Sequence, residues 1–188
     1  FDAQAIHADF VAADGHKWML GPEGLGFFYV RPELRDSLKL TQFGWHMVEA
    51  VGDFDTKAWQ PAGSARRFEC GSPNMLAIHA LSASLSLLLE TGMARIESLV
   101  LDNSRYLFER LSAIPGVDVI TPSQDERYAG IITFNVSGQD NAEIQQKLHT
   151  GRVFCACRGG GIRFSPHFYT PRSRIESALR QLVDIINQ

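Results

Sequence analysis

The segment Gly24 to Val30, GLGFFYV, is the strongest constraint on how this chain can fold. It lies between Pro22 and Pro32, is aromatic and β-branched towards its end, and is apolar at odd and even positions alike. A strand whose two faces are both apolar is expected inside a covered sheet, because an open sheet exposes one face and alternates. The end of another strand is expected at Ala12 to Gly15.

Helical signals follow. Ser72-Pro73 offers an N-cap and a proline at the first helical position, and Ile78, Leu81, Leu85 and Leu88 then recur at helical spacing up to Gly92. Ile96, Leu99, Val100, Leu107 and Leu111 mark a second helix that ends before Pro115-Gly116. Short strands are predicted at 117–120, 131–136, 153–156 and 162–164, with a helix over 141–150 between the second and third. A last helix is expected from a Thr170-Pro171 cap, with the stripe Ile175, Leu179, Leu182, Val183 and Ile186. Strands alternating with helices place the chain in the α/β or α+β classes. A break near Gly92 divides it into 1–91 and 92–188. Between Leu40 and Gly63 no period is visible, and an excursion of that length is usually functional or disordered.

Composition narrows function. A net charge of -3 and pI near 6.1 give no basic field for nucleic acid or an anionic membrane surface. No apolar run approaches the ~20 residues that span a bilayer. Cys70, Cys155 and Cys157 make no disulfide framework and fit a reducing, cytoplasmic setting, and the C-x-C pair reads as small buried hydrophobes on a strand. His7, His16 and His46 lack metal-ligand spacing, so no metal site is expected. The chain opens on Phe1 rather than Met and runs at once into structured sequence, which is read as an internal start.

Chemistry concentrates at ADGHKWMLGPEGLGFFYV, where Lys17 stands at a strand end before a glycine-rich turn. A lysine that attacks an aldehyde must be fixed on rigid backbone and partly desolvated. By itself the segment is equally a solvated surface lysine beside ordinary turn glycines. Together with RRFECGSPN (66–74) and GGIRFSPHFYT (160–170), it resembles the class V aminotransferases, fold-type-I enzymes that use pyridoxal 5'-phosphate.

The resemblance implies the end of a fold-type-I large domain followed by an α+β C-terminal small domain. It implies that Lys17 holds pyridoxal phosphate as a Schiff base, with His16 beside it near the phosphate or merely orienting the turn. It implies that Ser72 reaches the cofactor phosphate of a neighbouring subunit in a homodimer, although the same hydroxyl could serve only as a helix cap. Trp45 falls where related enzymes carry a Gly-Trp element near the cofactor, and otherwise anchors the long loop. Arg163 matches the arginine that binds the α-carboxylate of an amino-acid substrate, for which a guanidinium offers bidentate geometry. Arg158 is a weaker anion contact, and His167 shapes the turn before the last helix.

Transamination, epimerisation and kynureninase-type or selenocysteine-lyase-type cleavage are not separated by these residues. Persulfide-forming desulfuration is disfavoured, because neither Cys155 nor Cys157 matches the family's nucleophilic cysteine. The family's aspartate to the pyridine nitrogen and its ring platform precede the lysine, outside these 188 residues. The isolated chain is therefore expected to bind the cofactor weakly, and a folded fragment without chemistry is the rival reading.

Overall fold

A computed structural model describes residues 2–124 and 127–188; Phe1 lies outside the described residues. The chain divides into two compact units, 1–90 and 91–188.

In the first unit, β1 (Phe10–Asp14) and β2 (Gly26–Val30) form a two-stranded antiparallel sheet in which Phe10 pairs with Val30 and Asp14 with Gly26. The expected burial of β2 on both faces is overturned: only Val30 is buried, and Phe27 and Phe28 are each 47% exposed. The sheet has two strands, and among the described residues nothing closes over both of its faces. Phe28 keeps one aromatic contact, edge-on to Phe68.

Helix α1 (Met75–Thr91) starts later than Ser72-Pro73 suggests. Asn74 caps it, its side-chain oxygen accepting from the Ala77 N–H at 3.1 Å and its carbonyl from Ile78. Leu81 of α1 packs into the turn between the strands, where a Cβ on Gly21 would stand 2.5 Å from a Leu81 methyl and 2.9 Å from the Gly15 carbonyl oxygen. The excursion folds back on itself: Glu49 N–H bonds Gln60, Ala62 N–H bonds Met47, and Met47 and Ala62 are buried.

The second unit is α+β. Helix α2 (Met93–Ser112) leads to β3 (Val117–Val119) and β4 (Ile132–Val136). Then follow α3 (Asn141–Thr150), β5 (Ala156–Arg158), β6 (Gly161–Phe164) and α4 (Arg172–Ile186). The sheet is antiparallel throughout, in the order β3-β4-β6-β5. Its period-two alternation sends Ile132, Phe134, Val136, Ile162 and Phe164 into a single core with Leu107 and Leu111 of α2, Ile144 and Leu148 of α3, and Ile175, Leu179 and Leu182 of α4.

Two boundaries differ from expectation. β5 begins at Ala156, because the Cys155 N–H and carbonyl are both taken by side chains of α3, His149 and Gln145. Thr170 does not cap α4: its hydroxyl accepts from the His167 N–H, and Pro171 occupies the cap position without a side-chain bond.

The core predicts a sharp contrast. Leu182→Ala, at a fully buried site, should destabilise by about 2–5 kcal/mol, whereas Leu76→Ala, at an 83% exposed site, should fall within about 0.5 kcal/mol of the parent in urea unfolding.

Candidate functional site

Lys17 sits three residues beyond the end of β1 in a turn fixed from three sides. The Gly15 N–H bonds the Leu25 carbonyl, the Gly21 N–H bonds the Gly15 carbonyl, and Ser84 of α1 donates to the Leu20 carbonyl at 2.8 Å. Leu20 adopts the left-handed conformation (φ 58°), and the Ser84 bond falls on that residue. The glycines at 15 and 21 are required because the Leu81 side chain occupies the space a Cβ would need.

The Lys17 amine donates to the Asp14 carboxylate one turn back, and both side chains are about half exposed. That hydrogen bond, aided by the charges of Lys17 and His16, holds the Asp14 carboxyl below its ordinary range. His16 is exposed in the same turn and makes no hydrogen bond.

Ser72 is exposed and its hydroxyl has no partner among the described residues. With Asn74 taking the cap, the two roles that compete for one hydroxyl in the sequence are divided between two residues. Ser72 lies on a groove of about 870 Å³ formed by β2, residues 65–74 and α1, with Phe27, Phe28 and Phe68 in its wall. Trp45 makes its ring contacts with the excursion's own residues, Phe54 at 6.2 Å and His46 at 5.4 Å between centroids. No hydrogen bond or ion pair joins Lys17, Trp45 and Ser72.

Arg163 is in the second unit, at the middle of β6. Its neighbours Ile162 and Phe164 are buried, but on the core face; Arg163 itself is half-buried on the opposite face, level with Thr133 of β4 and Ala156 of β5. The Thr133 backbone bonds towards β3, so Thr133 and Arg163 form the closer, non-hydrogen-bonded kind of cross-strand pair. The Arg163 Nε is shielded from solvent and has no partner. His167 is buried, and its turn is braced by Asn103 of α2, whose amide donates to the carbonyls of His167 and Thr170.

The cysteines lie elsewhere. Cys157 pairs with Ile162 and so belongs to the core-facing parity, opposite to Arg163, and it is exposed at the sheet edge rather than buried as expected. Cys155 is half-buried against the core; burial, and secondarily the neighbouring Cys157, push its thiol up to about 11. Among the described residues no three His, Cys, Asp or Glu side chains are grouped to hold a metal ion, His7, His16 and His46 included.

The lysine on its fixed turn and the serine hydroxyl ahead of α1 lie in the first unit, and the half-buried arginine on a sheet face lies in the second. The chain belongs to the aminotransferase class-V family, whose model matches residues 1–170. A probable cysteine desulfurase of Staphylococcus aureus (strain Mu50 / ATCC 700699) is 34% identical over 159 residues, 85% of this chain and 37% of that protein. Cysteine desulfurase from Thermococcus onnurineus NA1 superposes with a TM-score of 0.87 at 25% identity, covering 98% of this chain and 48% of its own. The cystine C-S lyase C-DES, in complex with its reaction product cysteine persulfide, superposes at 0.87 with 26% identity over the same shares. The chain thus spans about a third of the length of the curated relatives it matches. These likenesses bear out the fold-type-I reading.

Sequence reasoning missed Asn74, Asn103 and the polar row of β4. Thr133 and Asn135 alternate with Ile132, Phe134 and Val136, a period-two signal that would have placed them beside Arg163's face.

Two measurements follow from the geometry. Asn74→Ala should cost about 1 kcal/mol of stability, while Ser72→Ala should leave it unchanged within error in the same denaturation experiment. The Asp14 carboxyl should titrate below 3.8 by NMR and move up in Lys17→Ala. A carboxyl lowered on folding contributes stability above its unfolded pKa that is lost as pH falls through the folded one.

Proposed function

We propose that the chain carries the lysine-bearing and carboxylate-binding parts of a pyridoxal phosphate enzyme that cleaves the Cβ–S bond of a sulfur-containing amino acid, without an enzyme cysteine as sulfur carrier. The observation that carries this reading is the placement of the cysteines: Cys157 has the parity of Ile162, facing away from Arg163, and Cys155 packs against the core, where burial raises its thiol to about 11. Both named activities among the relatives, desulfuration of cysteine and C–S lysis of cystine, break this bond.

The residues present fit the cofactor. Lys17 is the amine that would hold it, on a turn that glycine, Leu81 and Ser84 keep fixed; Ser72 supplies an unused hydroxyl for its phosphate, in a neighbouring subunit of a homodimer; His16 and Trp45 are further contacts. Bound pyridoxal phosphate supplies an electron sink for the pair left at Cα. Asp14 accepts a hydrogen bond from the Lys17 amine, and release of that contact frees the amine to act as a base. Lys17 then accepts the Cα proton, and the Cβ–S pair departs on sulfur, as a thiolate from a thiol or thioether and as a persulfide from a disulfide. Hydrolysis of the remaining three-carbon fragment gives pyruvate and ammonia. Arg163 holds the α-carboxylate throughout. Three free cysteines accord with work in a reducing, cytoplasmic compartment.

A second reading rests on the exposed apolar faces of β1 and β2: the 188 residues fold as a module whose site is completed by further polypeptide. Titration with pyridoxal phosphate followed by borohydride reduction tests both. A reduced cofactor should be found by mass spectrometry on Lys17 and be absent in Lys17→Ala. Label retained in that variant would overturn the assignment, and label appearing only when the rest of a relative's large domain is added would favour the second reading. In the assembled holoenzyme, Arg163→Ala should raise substrate KM about 10–100-fold. Cys155→Ser with Cys157→Ser should leave turnover within about twofold; loss of sulfur release would reinstate a cysteine carrier.

A further inference from the structure

The face of the second unit's sheet that carries Arg163 has a second row of polar residues with no assigned role. Cross-strand register pairs Asp118 of β3 with Asn135 of β4 and Arg158 of β5 with Gly161 of β6. One step beyond Phe134↔Ile162, Asn135 falls beside Gly161. The row therefore runs Asp118, Asn135, Gly161, Arg158, next to the row of Thr133, Arg163 and Ala156.

Charge is distributed unevenly along it. Asp118 lies at one end, accepting a hydrogen bond from Ser137, and Arg158 lies at the other, without an acidic partner among the described residues. Between them the Asn135 Oδ1 is shielded from solvent and has no hydrogen-bond partner among the described residues. A shielded acceptor left unpaired is costly and calls for a donor. Ile120 lies over this row, with its Cδ1 only 3.0 Å from where a Cβ on Gly161 would stand, and its side chain remains 44% exposed.

We propose that Asn135 is a specificity-determining residue that reads the distal ammonium of a disulfide amino acid, as Ile120 turns aside. This rests on the C–S cleavage reading above. With Arg163 on the α-carboxylate, the far half of a substrate such as cystine presents a second zwitterion. Its ammonium meets the Asn135 Oδ1, in the field of Asp118, and its carboxylate is directed towards Arg158. The spacing agrees: Arg163 and Asn135 are diagonal neighbours on adjacent strands, about 7–8 Å apart, within reach of a disulfide amino acid whose two Cα atoms stand roughly 4.4–6.8 Å apart. Ile120, between the rows, offers an apolar contact for the sulfur-bearing segment. A thiol or thioether amino acid has no second zwitterion and leaves Asn135 unpaired.

The test compares cystine with S-methylcysteine. In the holoenzyme, Asn135→Ala should lower the ratio of kcat/KM for cystine over S-methylcysteine about tenfold or more, while Asn135→Asp, which keeps an acceptor, should retain it. In the chain itself, cystine should shift the Asn135 side-chain amide resonances and S-methylcysteine should not. Cleavage by the parent with an unchanged ratio in Asn135→Ala overturns the proposal, as does loss of rate on both substrates alike. An Asn135 shift with cystine but no cleavage by the parent overturns the C–S reading and upholds recognition; neither shift nor cleavage overturns both.

Discussion

The approach of Leu81 to Gly15 and Gly21 is the contact on which the lysine's position depends. The glycines leave a hollow that only a backbone without Cβ can form, and the α1 leucine fills it. Ser84, one turn further along the same helix, bonds the Leu20 carbonyl and so holds the far side of the turn. A charged side chain on a two-stranded sheet would otherwise ride on a mobile loop. Here the helix supplies rigidity to the turn, while the Lys17 amine itself stays at the surface beside Asp14.

In the second unit the organising constraint is the period of two. One parity of β4 and β6 is committed to the core, where Phe134 meets Phe164 edge-on at 5.2 Å. The other parity is thereby freed from packing and holds Thr133, Asn135 and Arg163. The same rule sorts the cysteines. Cys157 shares parity with Ile162, so no rotamer of its short side chain reaches the Arg163 face through the sheet. The separation of the Cys157 thiol from the Arg163 guanidinium is a consequence of strand register rather than of distance.

Much of this was legible in the sequence. Helix α3 and the apolar stripes of α2 and α4 follow from periodicity and lie where it puts them. The caps were less legible, because Ser-Pro and Thr-Pro both advertise a helix start. Asn74 lies closer to the first turn of α1 and takes the cap, and the Thr170 hydroxyl is captured by the His167 N–H. The start of β5 was hidden for a similar reason: α3 side chains claim the backbone of Cys155 before the ladder can. Local competition for single donors and acceptors decides such boundaries, and period alone carries no trace of it.

The burial of β2 failed for a different reason. Its apolar residues at both parities report the environment for which the strand is suited, and with one partner strand that environment is not provided. The same applies to α1, where Leu76 and Leu89 are exposed although Leu81 and Leu88 are buried, a pattern of apolarity on all sides that belongs to an enclosed helix. The second unit exposes fewer large apolar side chains, Phe154 and Tyr169 foremost, since its core gathers residues from three helices and the sheet into one cluster. Completion is therefore demanded of the lysine-bearing unit and not of the arginine-bearing one. The Arg163 face belongs to a unit with its own core, whereas the Lys17 turn belongs to a unit whose apolar surfaces are still uncovered.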